Sequence, residues 1–275
     1  MLKGVNQWCY PENTPLENIF EYSRQAGFDA VELNLNEEGG IGLTTETTKE
    51  QAEEIAALAS KYQLQLRSLS TSLLWKTPLC SSDENIRKQG ITVVEKMLEL
   101  ASYIGMDTIL VVPGAVSEHV SYEECYNRSL ESLKQVIPTA KKYNVKIGIE
   151  NVWNKFLLSP LEMAAYIDEF ESDYVGAYFD VGNVLQFGFP EQWIRILSKR
   201  ILKVHVKDFS TKVGNITGFV PLLAGDVNWK AVIAALDEIG YEDTLTAELS
   251  PYALCPSTLA DDTARHLDVI LKKGR

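Results

Sequence analysis

Histidine is scarce in this chain, with three among 275 residues, and the four cysteines, Cys9, Cys80, Cys125 and Cys255, form no Cys-x-x-Cys pair. That scatter excludes a zinc-ribbon pattern and a disulfide framework, so free thiols are expected. Positive charge is also short. With 26 Lys and Arg against 38 Asp and Glu, the net charge of −12 has the wrong sign for gripping a phosphate backbone, which excludes nucleic acid as a partner. No stretch approaches the ~18 consecutive apolar residues of a membrane helix. The opening Met1-Leu2-Lys3-Gly4-Val5 meets the polar pair Asn6-Gln7 before an apolar signal core can form. No membrane partner and a cytoplasmic location are expected.

What the chain has is a hydrophobic content of 45% and a regular alternation. Short runs rich in Val, Ile and Leu take turns with longer segments whose apolar residues recur at spacings of three and four, the pattern of parallel strands with helical crossovers. Strands are expected at Lys3 to Gln7, Ala30 to Leu33, Leu64 to Leu69, Thr108 to Val112, Val145 to Ile149, Val175 to Phe179, Ile201 to Phe209 and Thr244 to Ala247. Capping signals open the helices between them. Asn13-Thr14-Pro15, Ser82-Asp83 and Ser159-Pro160 are such starts, and Gly27 and Gly105 are stops. Pro138 is expected to kink or break the fourth helix. Eight strands and eight helices predict an α/β fold, a (β/α)8 TIM barrel, formed as one domain over residues 1–275.

Four of the strands end on a group able to bind a metal. Val145 to Ile149 stops at Glu150, the sixth strand at Asp180 and the eighth at Glu248, while Ile201 to Phe209 delivers His205, Lys207 and Asp208. The C-terminal ends of parallel strands are where barrels keep their chemistry, so Glu150, Asp180, His205 and Glu248 converge on one mouth as a cage for one divalent metal ion. Three carboxylates and one imidazole favour Mn2+, with Mg2+, Co2+ and Zn2+ as alternatives.

Gly148-Ile149-Glu150-Asn151, Phe179-Asp180-Val181-Gly182-Asn183, Val204-His205-Val206-Lys207-Asp208 and Thr246-Ala247-Glu248 resemble the motifs of the xylose-isomerase-like TIM-barrel superfamily. Within it they are most similar to the ketose 3-epimerase branch, the D-tagatose 3-epimerases and L-ribulose-5-phosphate 3-epimerases. The resemblance implies a metal-dependent sugar isomerase or epimerase, with the metal held by Glu150, Asp180, His205 and Glu248. The two glutamates would double as acid and base. The expected reaction inverts carbon 3 of a ketose or ketose phosphate through an enediolate, which requires one carboxylate on each face of the sugar. The chain also departs from the pattern. Asn183 stands where tagatose-type enzymes carry a substrate-binding histidine, and Thr211 where they carry an arginine. Leu73, Leu74 and Trp75 replace a His-Arg pair of the phosphate-ester branch.

Asn183 and Lys207 are read as contacts to sugar hydroxyls, and Trp8, Trp75 and Trp153 as an apolar wall against the sugar. Glu32 is read as either a substrate contact or a structural carboxylate. Asp208 is expected either to orient His205 or to cap the loop that follows it. The Gly214 to Gly225 loop is either a lid or a plain connection. The expected partner is a small-molecule sugar or sugar phosphate, and a homo-oligomer fits barrels of this kind. Three other activities stay open: an aldose-ketose isomerase, a dehydroshikimate dehydratase-like lyase and a barrel that binds sugar without turning it over.

Overall fold

A computed structural model describes residues 1–273 of the chain. Its parallel strands are β1 (Leu2–Asn6), β2 (Ala30–Asn36), β3 (Gln65–Thr71), β4 (Thr108–Val111), β5 (Lys146–Glu150), β6 (Val175–Asp180), β7 (Ile201–Val206) and β8 (Thr244–Ala247). Each pairs with its neighbour, and β1 pairs with both β8 and β2, so the sheet closes into a barrel. Around it lie α1 (Leu16–Ala26), α2 (Lys49–Lys61), α3 (Glu84–Ile104), α4 (Tyr122–Tyr143), α5 (Pro160–Asp168), α6 (Pro190–Leu197), α7 (Trp229–Glu238) and α8 (Thr258–Lys273). The (β/α)8 expectation is met.

The strands alternate sharply. Val31, Leu33, Ile109, Ile147, Ile149, Phe179, Val204 and Leu245 are fully buried and join the apolar layer between barrel and helices. The opposite parity faces the lumen, and there the sequence is unusually polar for a barrel interior, which is more often filled with branched apolar residues. Leu110, Val112 and Tyr178 form a small separate apolar cluster. Asn6, Glu32, Asn34, Ser68, Ser70, Lys203, His205 and Thr246, spread over the remaining inward positions, are all buried. Tyr178 has room for its ring because Gly148 stands opposite, where a Cβ would lie 3.0 Å from the tyrosine Cβ.

The helix boundaries follow capping chemistry. Gly27 and Gly105 adopt the left-handed conformation that ends α1 and α3. Ser159 accepts a hydrogen bond from the Glu162 N–H to start α5, and Thr48 and Ser121 form capping boxes ahead of α2 and α4. Two expectations need correction. Pro15 sits just outside α1 at ψ 147° rather than in its first turn. The fourth helix runs unbroken through Pro138, because that residue and Lys134, whose carbonyl loses its partner, both lie on the exposed face, where water can replace the missing bond. All four cysteines are free, and no helix among the described residues is long and apolar enough to cross a membrane.

Candidate metal and active site

The strand ends bring Glu150, Asp180, His205 and Glu248 together, with one ligand atom from each lying within 4.8 Å of all the others. Register explains the convergence. His205 pairs with Asp180 on one side and Thr246 on the other, and Glu150 is level with Tyr178, two residues before Asp180. All four side chains point inward at the same end of the barrel. Asp180 and His205 are fully buried and Glu150 nearly so, while Glu248 is partly open to the mouth.

The hydrogen-bond inventory fits a cation. Asp180 Oδ2 and His205 Nδ1 are buried without a hydrogen-bond partner, a state that buried polar atoms rarely occupy. His205 Nδ1 is 2.8 Å from Glu248 Oε2 and 3.7 Å from Glu150 Oε1, and Lys207 Nζ is 3.2 Å from Asp180 Oδ2 and 3.0 Å from Glu248 Oε2. The Asp180 and histidine contacts are within ion-pair distance but not aligned as hydrogen bonds. With His205 neutral, the three carboxylates carry three negative charges against the single positive charge of Lys207, leaving two for a divalent ion to balance. The donor set of three carboxylate oxygens and one imidazole nitrogen suits hard to borderline metals.

Beneath the cluster, a second set of side chains fixes the histidine. Glu32 Oε1 receives Nε2 of His205 at 2.6 Å and Asn6 Nδ2 at 2.5 Å, while its Oε2 receives Ser68 Oγ at 2.6 Å and the hydroxyl of Tyr178. Burial pushes the Glu32 carboxyl up, yet the charge and hydrogen bond of His205, with Ser68 and Tyr178, bring it below the ordinary value. The ionised Glu32 therefore holds the proton on Nε2 and leaves Nδ1 as the atom offered to a metal. Glu32 is 2% exposed, and both its oxygens are consumed within the protein. It thus lies below His205 rather than on the pocket wall.

The two glutamates experience opposite fields. Burial pushes the Glu150 carboxyl up to about 7, with the charge of Glu248 adding to it. Burial acts on Glu248 in the same direction, but Lys207 and His205 outweigh it and hold that group down at about 2. Burial also draws His205 towards neutrality, against which Glu32, Glu150 and Glu248 drive its pKa well above the ordinary value. In the metal-free site, protons on Glu150 and His205 supply the two positive charges that a divalent cation would bring.

Above the cluster opens a cavity of about 680 Å³ whose lining includes Trp8, Trp153, Asn183, Lys207 and Glu248. Asn183 also braces Asp180, its N–H donating to Oδ1 at 2.8 Å while its side chain donates to the Asn151 carbonyl at 2.9 Å. Trp153 Nε1 donates to the Asn183 carbonyl at 2.8 Å, fixing the indole. Trp75 is not brought to this wall. It is 48% exposed and lines a separate cavity of about 230 Å³ beside Cys80. Asp208 caps the following loop, accepting from the N–H groups of Phe209, Leu223 and Val227 and from Trp229 Nε1 at 2.9 to 3.2 Å. That loop also forms a short antiparallel pair, Asp208–Phe209 with Phe219–Val220, which carries Phe219 to the cavity. Sequence reasoning missed Phe219 as a wall residue. It likewise missed Asn6, Ser68 and Tyr178, whose role depends on contacts across the barrel that no local spacing reveals.

An eight-stranded parallel barrel with a carboxylate and histidine cluster at its C-terminal mouth defines a class of barrels whose mouth could hold a metal ion. Residues 20–271 match the xylose isomerase-like TIM barrel family, and the chain belongs to that family. An L-ribulose-5-phosphate 3-epimerase of Salmonella paratyphi C is 24% identical over 239 residues, covering 86% of this chain and 83% of that protein. Among solved structures, an L-ribulose 3-epimerase has a TM-score of 0.83 at 19% identity, over 100% of this chain and 95% of that one. The 3-keto-D-glucoside 4-epimerase of E. coli has a TM-score of 0.79 at 17% identity, over 99% of both chains. These structural likenesses show the fold.

Proposed function

We propose that this protein is a metal-dependent ketose 3-epimerase in which Glu150 and Glu248 are the acid and base. The observation that carries the reading is their placement: two carboxylates from strands three apart, β5 and β8, meet at one cluster with the cavity directly above it. The relatives named as 3-epimerases support the choice of carbon. Glu150, Asp180, His205 through Nδ1, and Glu248 would hold one divalent ion, Mn2+ before Mg2+, Co2+ or Zn2+. When bound, that ion supplies Lewis-acid stabilisation of the charge that develops on a ketone oxygen during deprotonation of its neighbouring carbon.

The chain's own residues supply the rest. A ketose seated in the cavity presents the two faces of carbon 3 to the two glutamates. One takes the proton from its face, and the other returns a proton to the opposite face, so the configuration inverts. Asn183 and Lys207 line the cavity and would hold sugar hydroxyls. Asn151 and Asn183 keep Asp180 in register through their backbone contacts, and Glu32 keeps His205 oriented.

Chromatographic separation of the sugars formed from L-ribulose and D-tagatose by metal-loaded protein tests the reading. The expected products are the carbon 3 epimers alone. Aldoses would assign an isomerase instead, and dehydrated products a lyase.

A further inference from the structure

We propose, building on the epimerase reading, that the substrate is an uncharged keto sugar rather than a phosphate ester, its far end lying in an apolar trough formed by Trp8, Trp153, Phe219 and Tyr252. A sugar phosphate carries its charge at the end of the chain remote from the ketone. A site that accepts it needs cationic or N–H donors at that distance from the reacting carbons. The cavity lining supplies no cation at that distance. Among the described residues, Lys207 is the one cation on its lining. Its ammonium is at the floor, tied to Asp180 and Glu248 at 3.2 and 3.0 Å, so it faces the reacting end of a bound sugar.

Lys76 pairs with Glu37 at 2.7 Å, and Lys155 lines an adjoining groove rather than this cavity. The start of α8 offers no anion cradle either. Leu259 in its first turn borders the cavity, but the N–H groups of Thr258 and Leu259 already donate to Cys255 and Pro256 carbonyls, and Asp261 places negative charge in the same turn.

The walls suit a neutral sugar. Trp153 is held edge-on by Phe187 and Phe209 and tilted against Phe219, with ring centroids 5.4 to 5.9 Å apart. The ring of Phe219 is 5.7 Å from Lys207 Nζ, which puts it beside the floor of the cavity. Flat aromatic faces of this kind take the C–H face of a sugar, whereas they offer a phosphate dianion only the cost of losing its water.

The test compares L-ribulose with L-ribulose-5-phosphate on the metal-loaded protein. The free ketose should have a kcat/KM about 100-fold higher, the size of one missing charge-assisted hydrogen bond. Phe219→Ala should raise KM for L-ribulose with kcat little changed, and Phe219→Tyr should restore it. Quenching of Trp8 and Trp153 fluorescence reads binding independently of turnover. L-ribulose should quench, and inorganic phosphate should neither quench nor compete. A preference for the 5-phosphate, or competition by inorganic phosphate, would overturn the proposal. If neither sugar is turned over, the epimerase reading fails while the fluorescence competition still decides the charge of the ligand.

Discussion

His205 divides its two ring nitrogens between two tasks, and the division depends on Glu32. Nε2 is bound to a carboxylate that also takes hydrogen bonds from Asn6, Ser68 and Tyr178, so the ring cannot turn without breaking a buried network. Glu32→Gln keeps the shape but removes the charge, and should lower metal affinity about 10- to 100-fold, measured by isothermal titration calorimetry with Mn2+. An unchanged affinity would show that the network does not orient the ligand. Proton competition offers a second check. In the metal-free protein Glu150 sits near 7, above its ordinary 4.5, so its contribution to stability is present below about 4.5 and is lost as pH rises through about 7. Metal must displace that proton. His205, held well above its ordinary value by the carboxylates around it, must give up a proton as well, so affinity should climb with pH through about 7 and beyond it with proton release, seen as a dependence of the calorimetric heat on buffer ionisation enthalpy. The four clustered side chains were legible in the sequence, because each is the polar group at the end of an apolar strand. Glu32 lies inside β2, and its task was hidden, since it is set by four strands that meet it only inside the barrel.

At the scale of elements, the loop after β7 depends on Asp208. One carboxylate collects three backbone N–H groups and one indole N–H from residues 209 to 229, and through them positions Phe219 over the cavity. Asp208→Ala should cost about 3 kcal/mol, as expected when buried bonds to a charged group are lost. Limited proteolysis should then cut between residues 209 and 225, whereas the parent chain stays intact there. The barrel strands and most helix ends were readable from periodicity and caps, which are local properties. The short Phe219–Val220 pairing was not, because two-residue strands have no period, and Pro138 misled because its cost depends on which face of α4 it occupies.

At the scale of the whole molecule, the two ends of the barrel carry opposite duties. The C-terminal end gathers uncompensated carboxylates, while the N-terminal end is closed by a balanced network. There Lys203, 1% exposed, binds Asp107 at 2.8 Å and Asp243 at 2.5 Å, and Arg67 joins the same two carboxylates. Lys203→Ala would leave Arg67 alone against both carboxylates and should destabilise the fold by about 3 kcal/mol, read from urea unfolding. Turnover per folded molecule should not change. The (β/α)8 plan was visible in the alternation of segments, but this network was not, for a lysine inside a strand says nothing of which carboxylates meet it across the barrel.

The central claim is that Glu150 and Glu248 exchange a proton at carbon 3 of a ketose with a metal bound between them. Its most direct test is proton NMR in D2O of L-ribulose and D-tagatose with the protein loaded with Mg2+ or Zn2+, which avoid paramagnetic broadening. Deuterium should enter at carbon 3, stop when the metal is removed by chelation, and fall at least about 100-fold in Glu150→Gln and Glu248→Gln while both variants keep their fold. Exchange confined to carbon 1 or 2, or full exchange in either variant, would contradict the account.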